Sequence, residues 1–410
     1  MRQSVLALVA MQVLICTACQ SGGATPVGSA SPAGDIIIAS DLPISSIYGD
    51  ATELERAIRL AVAQHPAIGR FKLAYWSLND AVAANASPEK GVQNVSQMID
   101  DPRVLGMVGS YTSYVAVDEI PIANQGYLAM ISPSNTGVCL TLSGPNCNYL
   151  PDSLRPNGQN NYFRLPPPDP VQGTAMARYI AENRAVKRVA VINEWGSDGD
   201  DIIGPFAAEL NRHGGSVVLR KDFDSSAADF TGFLADAHAK GAQAIYALGG
   251  PEVCAARAQM TDDAMFLGTD GISTQPDCIS QAVRRGESML ATKPDVDITY
   301  STDSAAIKAV TSFHKAYPHS EITDYTFAAY DCAQILIAAI QRAVELNGGG
   351  IPNRRQVLDQ VAQIHYTGVT GTYSFDKYGD AVSPLMSIYQ VVNGQWKYLS
   401  KIDATATESS

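Results

Sequence analysis

Small hydroxyl residues follow two neighbouring apolar runs in the first third of the chain. The runs VLGMVG and YLAMIS are each typical of a buried strand, and each gives way at once to polar residues. These residues are Ser110, Thr112 and Ser113 after the first run, and Ser132, Ser134 and Thr136 after the second. A hydroxyl group both donates and accepts hydrogen bonds, so the two clusters are suited to holding a small polar ligand.

The position of the hydroxyl clusters points to an anionic group on that ligand. In open α/β sheets, ligands bind beyond the carboxyl ends of the strands, which is where both clusters fall. The segment between the runs predicts a helix that begins near Ser113, whose unpaired N–H groups and positive dipole end face the same point. A carboxylate fits such a site. The alternative is that Ser113 and Thr136 only cap a helix and a turn.

The order of predicted elements is that of an α/β protein. Apolar, β-branched runs alternate with helical patterns, starting at DIIIAS and restarting after a proline- and asparagine-rich passage at the helix before RVAVINE. This alternation predicts two doubly wound, Rossmann-like lobes with mainly parallel sheets. A length of 410 residues also favours more than one core.

Composition argues against several classes of protein. The formal net charge is −12 and no basic run is present, so nucleic acid is not an expected partner. Beyond the N-terminus, no apolar run reaches the roughly 18 residues that a spanning helix needs. The six histidines are scattered, and neither a G-x-S-x-G elbow nor a phosphate-binding glycine loop occurs. We therefore expect no catalysis, no cofactor and no metal centre among these motifs.

The N-terminus predicts a targeting segment. Residues 1–19 combine Arg2 with an apolar stretch, Val5–Ile15, and Cys19 resembles the lipidated cysteine of a bacterial lipobox, although Cys16 stands where leucine is usual. A plain secretory signal is the alternative. Residues 20–34 are rich in small and polar residues and predict a flexible tether. The folded part is thus expected outside the cytoplasmic membrane, anchored by an N-terminal lipid.

Secretion makes disulfide bonds plausible for the remaining cysteines. Cys139 and Cys147 flank the short loop CLTLSGPNC and are candidates for a local bridge. Cys254 and Cys278 each follow a strand-like segment and form a second candidate pair. Cys332 sits in a strongly apolar helix and is expected to be a buried thiol.

Several motifs together resemble the type I periplasmic binding proteins, in particular the branched-chain amino acid (Leu/Ile/Val) binding proteins of ABC importers. They are ISPSNT followed by LT at Ile131–Thr141, the preceding VG…S block, YGD at Tyr48–Asp50, NYFR at Asn161–Arg164, FAAYDCAQ at Phe327–Gln334 and VTGTYSFD at Val369–Asp376. The resemblance extends from Asp35 to about Lys401.

The resemblance implies a three-crossing hinge between the lobes, with crossings near Arg164, Lys293 and Gly368. The first lobe would then comprise residues 35–163 and 294–367, and the second lobe residues 164–293 and 368–401. Residues 402–410 are expected to form a disordered tail.

Matching the family's motifs to this chain assigns candidate ligand contacts. The family holds a ligand carboxylate with a serine at a helix start and with the ISPxxT loop, which here are Ser113, Ser134 and Thr136. An acidic residue of the second lobe meets the ligand ammonium, and Asp270 stands at that position.

Aromatic positions of the family match less completely. Tyr48 and Tyr325 stand at two of them, and Trp195 is a third candidate contact. Asp198 replaces a tyrosine that is common before Gly199, and Gly249-Gly250 runs directly into proline where an aromatic residue is usual. A ligand more polar or bulkier than leucine fits these departures.

The resemblance therefore implies an extracytoplasmic solute-binding lipoprotein of an ABC importer. It would bind an amino acid or a related small zwitterion between its lobes, as a monomer, and deliver it to a membrane permease. One alternative is a ligand sensor of the same fold that signals to a receptor. Another is an amide- or urea-binding protein, in which Asp270 accepts a hydrogen bond from a neutral N–H.

Overall fold

The computed structural model describes residues 30–44, 46, 51–224, 229–273, 278–280, 289–382 and 385–403. The predicted signal peptide with Cys19, most of the predicted tether, Tyr48 and residues 404–410 lie outside the described residues.

Six strands form the first sheet. They are β1 (Ile36–Leu42), β2 (Ala67–Ile68), β3 (Phe71–Asn79), β6 (Val104–Val108), β7 (Ala129–Ser132) and β8 (Tyr162–Arg164). Their order is β2-β3-β1-β6-β7-β8, and every neighbouring pair is parallel except β2 with β3. A small hairpin of β4 (Ala81–Val82) and β5 (Asn85–Ala86) follows β3. The helices of this part are α1 (Thr52–Ala63), α2 (Pro88–Asp100) and α3 (Ser113–Gln125).

Seven strands form the second sheet, in the order β10-β9-β11-β12-β13-β16-β17. They are β9 (Arg188–Asn193), β10 (Ser216–Asp222), β11 (Ala244–Leu248), β12 (Met265–Gly268), β13 (Met289–Lys293), β16 (Leu385–Val392) and β17 (Gln395–Asp403). The first five are parallel to their neighbours, and β16 and β17 add antiparallel strands at one edge. Helix α4 (Asp169–Arg184) leads from the first sheet into β9. The helices between the parallel strands are α5 (Ser197–Arg212), α6 (Thr231–Ala239), α7 (Cys254–Gln259) and α8 (Asp270–Ser273).

Between β13 and β16 the chain returns to the first sheet. This part holds α9 (Ser304–Ala316), α10 (Thr326–Leu346), α11 (Arg354–Ala362) and the short strands β14 (Tyr366–Thr367) and β15 (Thr372–Tyr373). Helix α10 is apolar on almost every side because it packs against both α1 and β6. The predicted class, two α/β lobes with mainly parallel sheets, is confirmed.

The chain passes between the two sheets three times. It leaves the first sheet after Arg164 and returns after Lys293. Tyr373 and Ala381 still pack in the core of the first lobe, whereas β16 pairs with β13 in the second sheet, so the third passage follows Ala381. That position is later in the chain than the crossing expected near Gly368.

A buried ion pair ties the first passage to the third. The Arg164 guanidinium donates from Nε to Asp380 Oδ1 at 2.6 Å, and from its terminal nitrogens to the carbonyl of Gly137 at 2.7 Å and the hydroxyl of Thr141 at 2.6 Å. Thr141 in turn donates to Asp380 Oδ2 at 3.0 Å. The arginine side chain is fully buried, so these acceptors replace water around its charge.

Both predicted cysteine pairs are joined in the structure. The Cα atoms lie 5.5 Å apart in Cys139–Cys147 and 5.3 Å apart in Cys254–Cys278. Cys332 is a buried free thiol, as its apolar helix predicts. Within the described residues, no helix combines the length and the apolar character that crossing a membrane requires.

The ends of the described chain are more ordered than the sequence indicates. The Ser31 hydroxyl donates to Asp101 at 2.5 Å, and Arg103 donates to the carbonyls of Pro32 and Gly34. The last residues of the predicted tether are thus bound to the first lobe. At the other end, Ile402 pairs with Met386 in the second sheet, although it falls in the predicted tail.

Candidate ligand-binding site

Ser132, the last residue of β7, joins the two hydroxyl-rich loops to each other. Its hydroxyl donates to the carbonyl of Ser110 at 2.9 Å. The same oxygen accepts the backbone N–H groups of Ser134 at 3.2 Å and Asn135 at 2.9 Å. Ser132 is fully buried, so its role is to hold the loops in register.

The hydroxyl of Ser134 is likewise used by the fold. It donates to the carbonyl of Tyr111 at 2.7 Å, and the side-chain amide of Asn135 donates to the same carbonyl at 2.8 Å. Tyr162 fixes the amide from behind, since its hydroxyl donates to Asn135 Oδ1 at 2.9 Å. While these bonds are present, Ser134 has no proton to offer a ligand carboxylate.

Ser113 is differently placed, at the first residue of α3. Its hydroxyl oxygen accepts the N–H of Gly137 at 3.1 Å, which leaves its proton available to an acceptor. Thr112, the residue before the helix, makes no side-chain capping bond, so the first N–H groups of α3 keep their donor capacity. Ser113 and Thr136 are both partly exposed. This corner can therefore bind an anion.

Asp270 begins α8, directly beyond β12. Its Oδ1 accepts from Gln172 Nε2 at 2.8 Å, and its backbone N–H donates to Gln172 Oε1 at 3.3 Å. The hydroxyl of Thr292 fixes that amide by donating to the same Oε1 at 3.0 Å. Burial raises the pKa of Asp270 above its ordinary value, and the hydrogen bond from Gln172 opposes the rise.

A second carboxylate stands beside Asp270 and was not among the predicted residues. Asp169 begins α4, and its Oδ1 accepts from Gln172 Nε2 at 3.2 Å, so one amide is shared by two carboxylates. Burial, and then the charge of Asp270, raise the pKa of Asp169 to about 7. The Asp169 N–H donates to the Thr136 carbonyl at 2.9 Å. This bond places the carboxylate pair next to the hydroxyl loops.

Tyr325 connects Asp270 with the first lobe. It precedes α10 in a left-handed conformation (φ 63°), and its hydroxyl donates to Asp270 Oδ2 at 3.3 Å. Its ring meets the ring of Tyr111 edge-on, with centroids 6.2 Å apart. Its backbone N–H donates to Asp295 Oδ2 at 2.8 Å, which holds the turn.

Trp195 lies against Gly271, the residue after Asp270. Its indole covers Gly271, where a Cβ atom would be only 2.4 Å from the ring carbon Cζ2. Asp198 is exposed in the first turn of α5, and its charge helps to raise the pKa of Tyr149 in the first lobe, after burial. Asn146 donates to Asp201 at 2.8 Å, so the loop closed by Cys139 and Cys147 touches α5.

Two further polar groups of the second lobe, Tyr246 and Glu194, were not predicted from the sequence. Tyr246 of β11 is fully buried, and its hydroxyl has no partner among the described residues. Burial raises the pKa of Tyr246, and the charges of Asp270 and Asp169 raise it further. Burial, and then Glu252, raise the pKa of Glu194 to about 7. The sequence signal for these two residues was their position: Tyr246 is within β11, and Glu194 directly follows β9.

Comparisons with known proteins agree with this architecture. The family model described as "Periplasmic binding protein" matches residues 42–395, so the chain belongs to the periplasmic binding protein family. Among curated proteins it is 25% identical over 318 residues to the Leu/Ile/Val-binding protein homolog 3 of Brucella melitensis, covering 75% of this chain and 78% of the relative. It is 25% identical over 301 residues to an amino acid binding protein of Pseudomonas aeruginosa, covering 72% and 73%.

Solved structures show the same fold. The leucine binding protein LivK of Thermotoga maritima superposes with a TM-score of 0.71 at 23% identity, over 90% of this chain and 99% of that one. The substrate binding protein LivJ of Streptococcus pneumoniae, solved with isoleucine, gives 0.70 at 19% identity, over 89% and 98%. The predicted resemblance to substrate-binding proteins of the Leu/Ile/Val type is thereby confirmed.

Proposed function

We propose that this substrate-binding protein closes around an α-amino acid or a closely related zwitterion. The observation that carries the proposal is the bond from the Asp169 N–H to the Thr136 carbonyl, 2.9 Å long, which brings an anion-binding corner and a carboxylate pair together. One end of a zwitterion needs hydrogen-bond donors and the other needs negative charge. The names of the Leu/Ile/Val-binding relatives support the same ligand class.

In this proposal the ligand carboxylate is bound by the Ser113 hydroxyl, Thr136 and the free N–H groups of α3. Asp270 receives the ligand ammonium, and Asp169 adds negative charge beside it. Because the two ends of the ligand contact opposite lobes, the ligand binds the closed state more tightly than the open one. That difference in affinity favours closure.

The surroundings of the proposed ammonium position favour a side chain more polar or bulkier than that of leucine. The Tyr325 hydroxyl donates to Asp270, and the Trp195 ring covers the neighbouring Gly271. Asp198, where the family often has tyrosine, is exposed in the first turn of α5. Tyr48 stays a proposed contact that lies outside the described residues.

A thermal-shift screen tests the ligand class. Residues 20–410 are unfolded, refolded and heated with α-amino acids, amides, urea and small carboxylates. A ligand present at 100 times its dissociation constant should add roughly 2.7 kcal/mol to the free energy of unfolding. Asp270→Asn should abolish the shift, whereas Asp236→Asn, an exposed aspartate on α6, should leave it intact. A shift that survives Asp270→Asn would contradict the proposed site.

A neutral amide or urea is the second candidate ligand. The observation in its favour is that burial raises the pKa of Asp270, and that of Asp169 to about 7, which favours a proton shared within the pair. A carboxylate pair that shares one proton can accept a hydrogen bond from a neutral N–H. This arrangement buries less charge than two ionised carboxylates with a ligand ammonium would. A shift with amides and none with amino acids would establish this alternative.

We also propose that the protein is lipidated at Cys19, acts as a monomer and delivers its ligand to an ABC permease. Cys19→Ser should release the protein from the membrane fraction of producing cells. Cys16→Ser is the matched control and should leave it membrane-bound. Ligand uptake into cells that lack the chain should be restored by the wild type and not by Asp270→Asn. Normal uptake without the chain would favour a sensor role.

A further inference from the structure

Three carboxylates that the proposed ligand site does not use lie together inside the first lobe. Asp41 is in β1, Asp80 directly follows β3, and Glu119 is in α3. All three side chains are fully buried. Each can contribute one oxygen to a group whose members lie within 4.8 Å of one another.

These carboxylates receive little compensation from the part of the chain that the structure describes. Among the residues that the structure describes, none is a hydrogen-bond partner of Asp41 Oδ2 or of either oxygen of Asp80 and Glu119. Asp41 Oδ1 accepts from Asn94 Nδ2 at 2.7 Å. Lys90 acts on Asp41 electrostatically, but no ion pair to the cluster forms among the described residues. Buried charges without partners are strongly unfavourable, so the arrangement calls for a counter-charge.

Neutral side chains from two other elements lie beside these carboxylates. Ser110, in the loop between β6 and α3, is fully buried, and its hydroxyl has no hydrogen-bond partner assigned within the described part of the chain. Burial raises the pKa of Glu119, and Asp41 and then the Ser110 hydroxyl oppose this rise. The side-chain oxygen of Asn94 is also unpartnered, while its nitrogen is on Asp41. A hydroxyl and an amide oxygen complete an all-oxygen donor set.

Two glycines let the backbone approach this cluster. A Cβ atom at Gly91 in α2 would be 2.6 Å from Glu119 Oε1. Gly109 has a φ of +144°, and a Cβ atom there would be 2.5 Å from the Asp41 carbonyl. Close approach of backbone to a buried polar group is a position that favours glycine.

We propose that Asp41, Asp80 and Glu119 bind a hard cation, for which Ca²⁺ is the best match, with Ser110 and Asn94 as further oxygen ligands. Carboxylate, amide and hydroxyl oxygens are the donors that hard cations prefer. Ca²⁺ accepts 6–8 oxygens in flexible geometry, whereas Mg²⁺ demands a strict octahedron and keeps several waters. A fully buried cluster with carboxylates from three elements therefore suits Ca²⁺ better.

Ser110 connects this cation site with the ligand site. Its carbonyl accepts the Ser132 hydroxyl at 2.9 Å, and the following residues lead directly into α3 at Ser113. A cation held by Ser110 would order the loop that presents Ser113. The proposal does not depend on the ligand proposed above, because the cation is tested without it.

The experiment measures Ca²⁺ binding to residues 20–410 after treatment with EDTA and desalting. Calorimetric titration with CaCl₂ and elemental analysis of the desalted complex should give one Ca²⁺ per chain, with weaker binding of Mg²⁺. The melting temperature should rise with Ca²⁺ until the site is saturated. Potassium chloride at matched ionic strength should have no such effect. The stoichiometry measured on the unmodified chain tests whether a Ca²⁺ site exists, even if the variants below do not fold.

Variants locate the ion. Asp80→Asn and Glu119→Gln preserve side-chain size and should each weaken Ca²⁺ binding by about tenfold or more. Asp118→Asn, the exposed neighbour of Glu119 on α3, is the matched control and should bind as the wild type does. Unchanged binding in Asp80→Asn and Glu119→Gln would overturn the proposal. So would no binding at millimolar Ca²⁺, which would mean that the cluster is neutralised by protons, in agreement with pKa values of about 8 for Asp80 and Glu119.

Discussion

The hydroxyl of Tyr325, at the start of α10 in the first lobe, donates to the carboxylate of Asp270 in the second lobe at 3.3 Å. The two residues are far apart in sequence and meet only because the chain returns to the first sheet after β13. The contact joins the two lobes beside the proposed ammonium position. A ligand ammonium bound to Asp270 would therefore also be next to the residue that helps to hold the lobes together.

Tyr325→Phe removes that hydrogen bond and keeps the ring that packs against Tyr111. We expect ligand affinity to fall by about 1 kcal/mol, because one hydrogen bond to a charged group at the lobe contact is lost. Calorimetric titration with the ligand found in the screen measures the change. Tyr127→Phe is the control, because Tyr127 precedes β7 and lies at the end of that strand opposite to Ser132; it should bind as the wild type does. Equal ligand affinity in both variants would show that the Tyr325 hydroxyl does not contribute to ligand binding.

Ser113→Ala should affect mainly ligand binding, whereas Ser134→Ala should affect mainly folding stability. Ser113 has a free hydroxyl proton, so its loss should weaken ligand binding by about 1 kcal/mol and change stability little. Ser134 already donates to the Tyr111 carbonyl, so its loss should lower the free energy of unfolding by about 1 kcal/mol instead. Urea unfolding and calorimetric titration of both variants test the contrast. Lower stability in Ser113→Ala and weaker ligand binding in Ser134→Ala would contradict the roles assigned to the two serines.

Asp169 should make the ligand-free protein less stable as the pH rises. Its pKa is about 7 in the folded protein, against an ordinary value of 3.8, so the folded state holds the proton more tightly than the unfolded state does. Its contribution to stability is complete below pH 4 and is lost as the pH rises towards 7. Asp169→Asn should therefore show a shallower decline in unfolding free energy between about pH 4 and pH 7, by on the order of a few kcal/mol at most. Parallel curves for variant and wild type would contradict the assignment.

The Arg164–Asp380 pair should be essential to stability. Asp380→Ala leaves a fully buried guanidinium without its carboxylate, and we expect a loss of about 3–5 kcal/mol in the free energy of unfolding. Arg342→Ala removes an exposed partner of Glu345 and should cost less than about 1 kcal/mol. Urea unfolding at neutral pH compares the two variants. Similar losses would mean that the buried pair is not required to hold the passages between the lobes.

Both disulfides should stabilise the protein, and the one that closes the longer loop should contribute somewhat more. The separations of 8 and 24 residues correspond to roughly 2.5 kcal/mol for Cys139–Cys147 and 3.4 kcal/mol for Cys254–Cys278 in the chain-entropy estimate. Reducing agent should lower the melting temperature accordingly. Denatured but unreduced protein spanning residues 20–410 should show a single reactive thiol, from Cys332. Three or five thiols would show that one or both bridges are absent.

The sequence determined the elements of the fold because their signals are local. A buried parallel strand is recognisable as a continuous apolar run, as in β6 and β11. The helix that follows such a strand begins where this run gives way to apolar residues repeated every three to four positions. The hydroxyl clusters were recognisable for the same reason, since they directly follow β6 and β7. Cysteine pairing could be predicted within the short loop from Cys139 to Cys147 because its ends have little freedom to separate.

Only the tertiary structure decided which side chains share one environment. Asp169 and Gln172 lie on a helix after the first passage, and nothing near them in sequence shows that they face Asp270. Tyr325 and Asp380 depend in the same way on where the chain crosses between the sheets.

The acidic cluster of the first lobe shows the physical reason. Asp41, Asp80 and Glu119 each look like an ordinary charge near the end of a strand or on a helix. They become a candidate cation site because β1 and β3 end side by side and because α3 packs its buried face over them. Local patterns report how a segment folds, whereas the pKa of a carboxylate and the ligand that it can bind depend on neighbours that folding brings from distant parts of the chain.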